Sequence, residues 1–226
     1  MWNRRASFFW LATGLIALIG FVALASVIHR PESIQRDLEM SRWFDGPDGS
    51  PLGGPLVILS DFGRSILIFI VLEAGVWLWL KRRRNDLAVL LTTTIGGFAI
   101  NMILRGLLQG PRPLIEDPGT TIEHTGFPSG HTMMATLTYG LLLYGALDRI
   151  PARYRWLITG GLGLLLLGIG FTRLFFGVHY LSDVVGGYLA GWAWLAACIL
   201  ATQWLRRSRT QPERREPSQT ATRPEL

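Results

Sequence analysis

VVGGYLAGWAWLAACILATQWL, residues Val184–Leu205, runs without a single charge between Asp183 and Arg206. At about 1.5 Å per residue, a helix of this length crosses the roughly 30 Å hydrocarbon core of a bilayer. Four further runs share that character: Ala6–Ile28, Leu87–Leu104, Thr132–Leu147 and Trp156–Thr172. Ser65–Leu80 makes a sixth, with Glu73 inside it. The composition agrees, because 49% of the 226 residues are hydrophobic, nine are tryptophan and the mean hydropathy is +0.30. That is more apolar material than the core of a soluble domain of this size requires. The sequence therefore predicts an all-α, polytopic membrane protein of six transmembrane helices, forming one domain over residues 1–205.

The charges orient these spans. Arg4-Arg5, the run Lys81-Arg82-Arg83-Arg84, the group Arg149, Arg153 and Arg155, and the tail from Arg206 all fall on one side of a six-span path. Basic loops stay in the cytoplasm, so both termini are predicted there, in the inner (plasma) membrane. The first apolar run is longer than the 7–15 residues of a signal peptide and reads as a retained helix. The tail 206–226 is polar, basic and free of aromatics, and reads as a disordered cytoplasmic segment whose arginines meet anionic lipid rather than nucleic acid. The single cysteine, Cys198, lies inside the last span, so no internal disulfide and no cysteine-based metal site is available.

The opposite side carries residues 28–64, 105–131 and 173–183. In the first of these, Gly46-Pro47-Asp48-Gly49-Ser50-Pro51 and Gly53-Gly54-Pro55 read as turns, preceded by a short amphipathic stretch, Pro31–Trp43, suited to a membrane surface. The other two hold the polar chemistry. Arg105 ends one span, and Gly110-Pro111-Arg112-Pro113 breaks the helix so that Arg112 can turn back toward it. Pro128-Ser129-Gly130-His131 opens the next span, with Ser129 as N-cap and the first helical N–H groups presenting an anion site. Arg173 ends the following span. After the break at Gly177, His179 and Asp183 stand four residues apart, on one face of a new helix.

Guanidinium forks match phosphate oxygens and stay charged at any working pH, while an imidazole can attack phosphorus or give a proton to a leaving oxygen. The pattern points to phosphoryl transfer without a metal. Asp183 can fix the tautomer of His179, which makes His179 the candidate nucleophile. His131, with no carboxylate at that spacing, is the candidate acid.

Arg105-x6-Arg112-Pro113, Pro128-Ser129-Gly130-His131 and Thr172-Arg173-x5-His179-x3-Asp183 resemble, in order and spacing, the three signature motifs of the type 2 phosphatidic acid phosphatase superfamily. The resemblance covers about Arg64 to Leu205. It implies a six-helix membrane fold with the site at the outer face, a phosphohistidine intermediate on His179, and no metal or other cofactor. It also implies a phosphate cradle of Arg105, Arg112, Ser129, Gly130 and Arg173. Two positions depart from the family pattern, with arginine at 105 where lysine is usual and threonine at 172 where serine is usual. The implied substrate is a membrane lipid phosphate: undecaprenyl pyrophosphate or a broad range of such lipids. Phosphatidylglycerol phosphate, phosphatidate and lipid A are the alternatives within the class. A non-catalytic lipid-phosphate binder or a transporter is the alternative outside it, although only Glu73 offers the mid-span polarity that a transporter shows. Glu73 is expected to be protonated or hydrogen-bonded in helix packing, and Gly187, Gly191 and the glycines from Gly160 to Gly170 are expected at close helix contacts.

Overall fold

The computed structural model describes residues 4–44, 50–108 and 126–210. These residues are all-helical: α1 (Arg4–Ala25), α2 (Pro31–Phe44), α3 (Gly53–Asp61), α4 (Ser65–Leu80), α5 (Arg84–Leu107), α6 (Gly130–Ala146), α7 (Ala152–Phe175) and α8 (Leu181–Thr210). Five stretches are long and apolar enough to cross a bilayer: Ala6–Ala25, Gly53–Leu80, Arg84–Leu107, Ala152–Phe175 and Leu181–Ser208. The protein is a multi-pass membrane protein. The predicted span Thr132–Leu147 falls on α6, whose 17 residues leave it out of these five, and α6 packs on α5, α7 and α8.

The sequence reading needs correction at three elements. Gly53-Gly54-Pro55 is not a loop but the first turn of α3, and α3 continues the apolar path of α4 backward. Pro55 fits because donors in a first helical turn have no intrahelical partner to lose. The helix α8 runs past Arg206 to Thr210, where Arg206 reaches Asp86 at 2.8 Å; the remainder of the predicted tail, 211–226, lies outside the described residues. Glu73 does not pack inward. It is exposed on α4, on the same face as Phe69 and Trp77.

Helices in lipid gain little from hiding apolar surface against one another, so small residues that admit close approach hold them together. A Cβ at Gly14 of α1 would come within 2.7 Å of Ala196 on α8, and one at Gly140 of α6 within 2.4 Å of Leu195. Gly187 and Gly191 behave as predicted, abutting Thr132, Ser129 and Met133 of the α6 N-terminal turn. Gly168 and Gly170 also make close contacts, with Leu59 and Tyr188, whereas Gly160, Gly161 and Gly163 face open space. One core cluster joins α1, α6 and α8 through Phe21, Met133, Leu137, Leu195 and Ile199, and a second joins α4, α6 and α7 through Leu67, Ala135, Tyr139 and Ile169. The outward faces carry Phe8, Ile16, Phe69, Trp79, Ile95 and Leu164, an apolar surface suited to lipid.

The bundle has two polar ends. At one, Ser7 at the start of α1 donates to Gln203 of α8, which donates in turn to Tyr144 near the end of α6, and Arg206 bonds Asp86 at the start of α5. The basic groups of the sequence gather at this end. At the other lie the starts of α6 and α8, the end of α7 and the α3–α4 junction.

Candidate active site

Local chain geometry brings the second and third sequence clusters together. α7 ends at Phe175, and Gly177 takes a φ of 62°, the left-handed conformation that lets the chain reverse. The Arg173 carbonyl then accepts from the backbone N–H groups of Val178 and His179, both at 3.2 Å. His179 is thus fixed in the turn, not on the helix: α8 begins only at Leu181, two residues later than the shared-face reading requires. The pair with Asp183 forms nonetheless, because the Asp183 carboxylate folds back over the helix start. Its Oδ2 accepts from the Tyr180 N–H at 3.0 Å and lies 3.4 Å from His179 Nδ1. The carboxylate so placed holds the proton on Nδ1 and leaves the lone pair on Nε2. Both side chains are buried. Burial lowers the pKa of His179 below the ordinary 6.5, with Asp183 offsetting part of the effect.

The α6 end is locked to the same place. The Ser129 N–H donates to the Asp183 carbonyl at 3.0 Å, and Thr132 Oγ1 donates across to the Val184 carbonyl at 3.2 Å. Ser129 occupies the N-cap position with extended backbone, but its hydroxyl makes no cap hydrogen bond. That oxygen is fully buried without a protein partner, which fits a group held for a ligand oxygen rather than for the helix. Gly130 packs against Asn101, whose Oδ1 would lie 3.2 Å from an added Cβ.

Arg173 links the two histidines. Its side chain is buried, Nη1 donating to His131 Nε2 at 3.3 Å, Nη2 to the Ser60 hydroxyl and Nε to Thr172 Oγ1 at 3.3 Å, while its own carbonyl holds His179. A guanidinium only donates, so the Nε2 of His131 carries the lone pair here and its proton sits on Nδ1. Arg105, half-buried in the last turn of α5, is close enough for its charge to act on both histidines. Of the predicted cradle, Arg173, Ser129, Gly130 and Arg105 are thus brought around His131, His179 and Asp183. Arg112 lies outside the described residues.

Four residues of this end were not singled out from sequence. Ser60 orients Arg173. Asn101 Nδ2 donates to the Pro128 carbonyl at 3.3 Å and steadies the turn before α6. Asp37 of α2 accepts from the N–H and hydroxyl of Ser182 and so caps α8 from another element. Arg64 stands at the α3–α4 junction. Only Asn101 carried a usable signal, being the one amide side chain in an otherwise apolar or hydroxylated run. Among the described residues, no three His, Cys, Asp or Glu side chains come together as metal ligands.

Known proteins resemble this chain in sequence and in fold. A phosphatidylglycerophosphatase B from Bacillus subtilis (strain 168) is 25% identical over 129 residues, covering 56% of this chain and 63% of that protein, so the chain spans less than two thirds of that relative's length. An undecaprenyl-diphosphatase from Sulfolobus acidocaldarius is 20% identical over 197 residues, covering 85% of this chain and 89% of that protein. The crystal structure of a transmembrane PAP2-type phosphatidylglycerolphosphate phosphatase from Bacillus subtilis superposes with a TM-score of 0.73 at 21% identity, covering 89% of this chain and 99% of the other, and shows the same fold. Residues 86–207, more than half of the chain and including every motif described above, match the model of the PAP2 superfamily, to which this protein belongs.

Proposed function

We propose that this protein is a metal-independent phosphatase of membrane lipid phosphates, acting through a phosphohistidine intermediate on the outer face of the membrane. Undecaprenyl pyrophosphate, or a broad range of lipid phosphates that includes it, is the favoured substrate. The observation that carries the reading is the position of Arg173, bonded through its side chain to His131 and through its carbonyl to His179. A phosphate that engages this guanidinium meets the His131 ring directly, while His179 is held on the turn that the Arg173 carbonyl closes. His179 Nε2 attacks phosphorus, the P–O bond to the lipid breaks, and His131, protonated once the bound phosphate anion offsets the surrounding arginines, gives that proton to the departing oxygen and takes one back from the water that follows. Water then attacks the phosphohistidine and releases phosphate. Arg105, Arg112, Arg173 and the first amides of α6 stabilise the charge on the transferring group.

The site end is opposite the end where the arginines gather, so the positive-inside rule puts both termini in the cytoplasm and the chemistry outside. The lipid chain remains in the bilayer while its headgroup reaches the site. The Bacillus subtilis relative and the structural neighbour favour a second reading in the same class, a preference for phosphatidylglycerol phosphate. The test is phosphate release by the purified protein in detergent with EDTA, from undecaprenyl pyrophosphate, phosphatidylglycerol phosphate, phosphatidate and lipid A. Release is expected, fastest from the first. Release from none would leave a binder or transporter, and strict dependence on added magnesium would sink the metal-free mechanism.

A further inference from the structure

The junction between α3 and α4 forms a wall of the site although it lies outside the residues that match the family model. The helix is interrupted over Phe62–Arg64, where the N–H groups of Gly63 and Arg64 turn to the carbonyls of Ser60 and Asp61 and Arg64 leaves helical backbone. Three contacts press this elbow onto the catalytic end. The Tyr139 hydroxyl of α6 donates to the Phe62 carbonyl at 2.7 Å, and the Ser60 hydroxyl accepts from Arg173. Gly63 sits so tightly that a Cβ there would come within 2.7 Å of Ile169 and 3.6 Å of His131 Cβ. Arg64, the next residue, is exposed, and no described carboxylate lies in ion-pair distance of it. Its charge acts on both His131 and Arg173.

Arg64 therefore follows directly on the residue packed against His131, the proposed proton donor to which the leaving oxygen must come. Resting on the phosphatase reading, we propose that Arg64 binds the second phosphate of a diphosphate substrate and selects lipid diphosphates over lipid monophosphates. The two substrates differ at that position. When His179 attacks a monophosphate, the electron pair of the breaking P–O bond passes to an alkoxide-like oxygen, which is strongly basic and needs the proton of His131. When it attacks the terminal phosphorus of a diphosphate, the pair passes to the bridging oxygen of a phosphate monoester. That group has a second pKa near about 6 and can leave as an anion. What it requires is a fixed positive charge beside the departing phosphate, and a guanidinium fork supplies one. Water completes either reaction by forming the new P–O bond as the N–P bond breaks.

The experiment compares farnesyl diphosphate with farnesyl monophosphate, as initial rates for the full chain in detergent, in wild type, Arg64→Gln and Arg64→Lys. The ratio of kcat/KM for diphosphate to that for monophosphate should fall about 10- to 100-fold in Arg64→Gln and return to within about threefold of wild type in Arg64→Lys. Arg64→Met, a second uncharged variant, serves if Arg64→Gln melts early. An unchanged ratio, whether both rates fall together or neither does, would overturn the assignment and leave the phosphatase reading intact. Wild-type protein that releases phosphate from neither probe would remove both.

Discussion

The role proposed for His179 makes two demands that pull in opposite directions: the ring must be buried enough to stay neutral, and held well enough to attack. Burial lowers its pKa below 6.5, and the neighbouring Asp183 limits that fall without reversing it. A folded value below the unfolded one means that the stability gained by keeping the ring neutral is present above about pH 6.5 and disappears as pH falls through the folded value. His179→Ala should abolish turnover in protein that still folds, since no neighbouring group replaces a covalent nucleophile. Acid-quench with labelled substrate should trap an acid-labile phosphoprotein in the wild type, and retained label in His179→Ala would remove the residue from that role. The ring's own titration, followed by NMR in ligand-free protein, should have its midpoint below 6.5. These residues were legible in the sequence because each motif is a short consecutive run at a helix end. Ser60 and Asp37 were not, because their partners Arg173 and Ser182 are 113 and 145 positions away and no local pattern marks the pairing.

Helices α6 and α8 meet at the proposed phosphate cradle, so their packing is also the positioning of the candidate site. The spacing of Gly187 and Gly191 foretold that contact. An added Cβ at Gly187 would stand 2.0 Å from Thr132 Oγ1 and 2.6 Å from the Ser129 carbonyl, and the latter is backbone that cannot rotate away. Gly187→Ala is expected to lose about 1–3 kcal/mol of stability by overpacking and to displace the turn that carries Ser129 and His131. Gly160→Ala, on an open face of α7, should be neutral or stabilise by up to about 1 kcal/mol through helix propensity. Thermal melts in one detergent would compare the two, and equal melting temperatures would show that the α6–α8 contact is looser than these distances imply. The glycines of α7 mark the limit of such reasoning. Spacing identifies a face, but whether a neighbour fills it depends on which helix lies opposite. The same limit hid α3, because Gly-Gly-Pro is a turn signal that a first helical turn also accommodates.

At the scale of the whole bundle, spans and charge asymmetry were readable because bilayer thickness and the basic loops act on long stretches, where single exceptions average out. The elbow between α3 and α4 was not, since the apolar run across it looks continuous but for Asp61 and Arg64. The orientation is testable with cysteines in a Cys198→Ala background. Glu39→Cys, on the exposed polar face of α2 at the site end, should react with an impermeant thiol reagent in intact cells, and Ala152→Cys, exposed at the basic end, should not. Labelling of Ala152→Cys with protection of Glu39→Cys would invert the molecule. The separation of the two polar ends has an electrical consequence. In the proposed reaction, each turnover on a lipid monophosphate strips a headgroup of about 1.5–2 negative charges near neutral pH while the lipid chain stays in the leaflet it came from. The protein would thereby discharge one surface of the bilayer without thinning it, weakening that leaflet's hold on basic proteins and divalent counterions and leaving the other leaflet as it was.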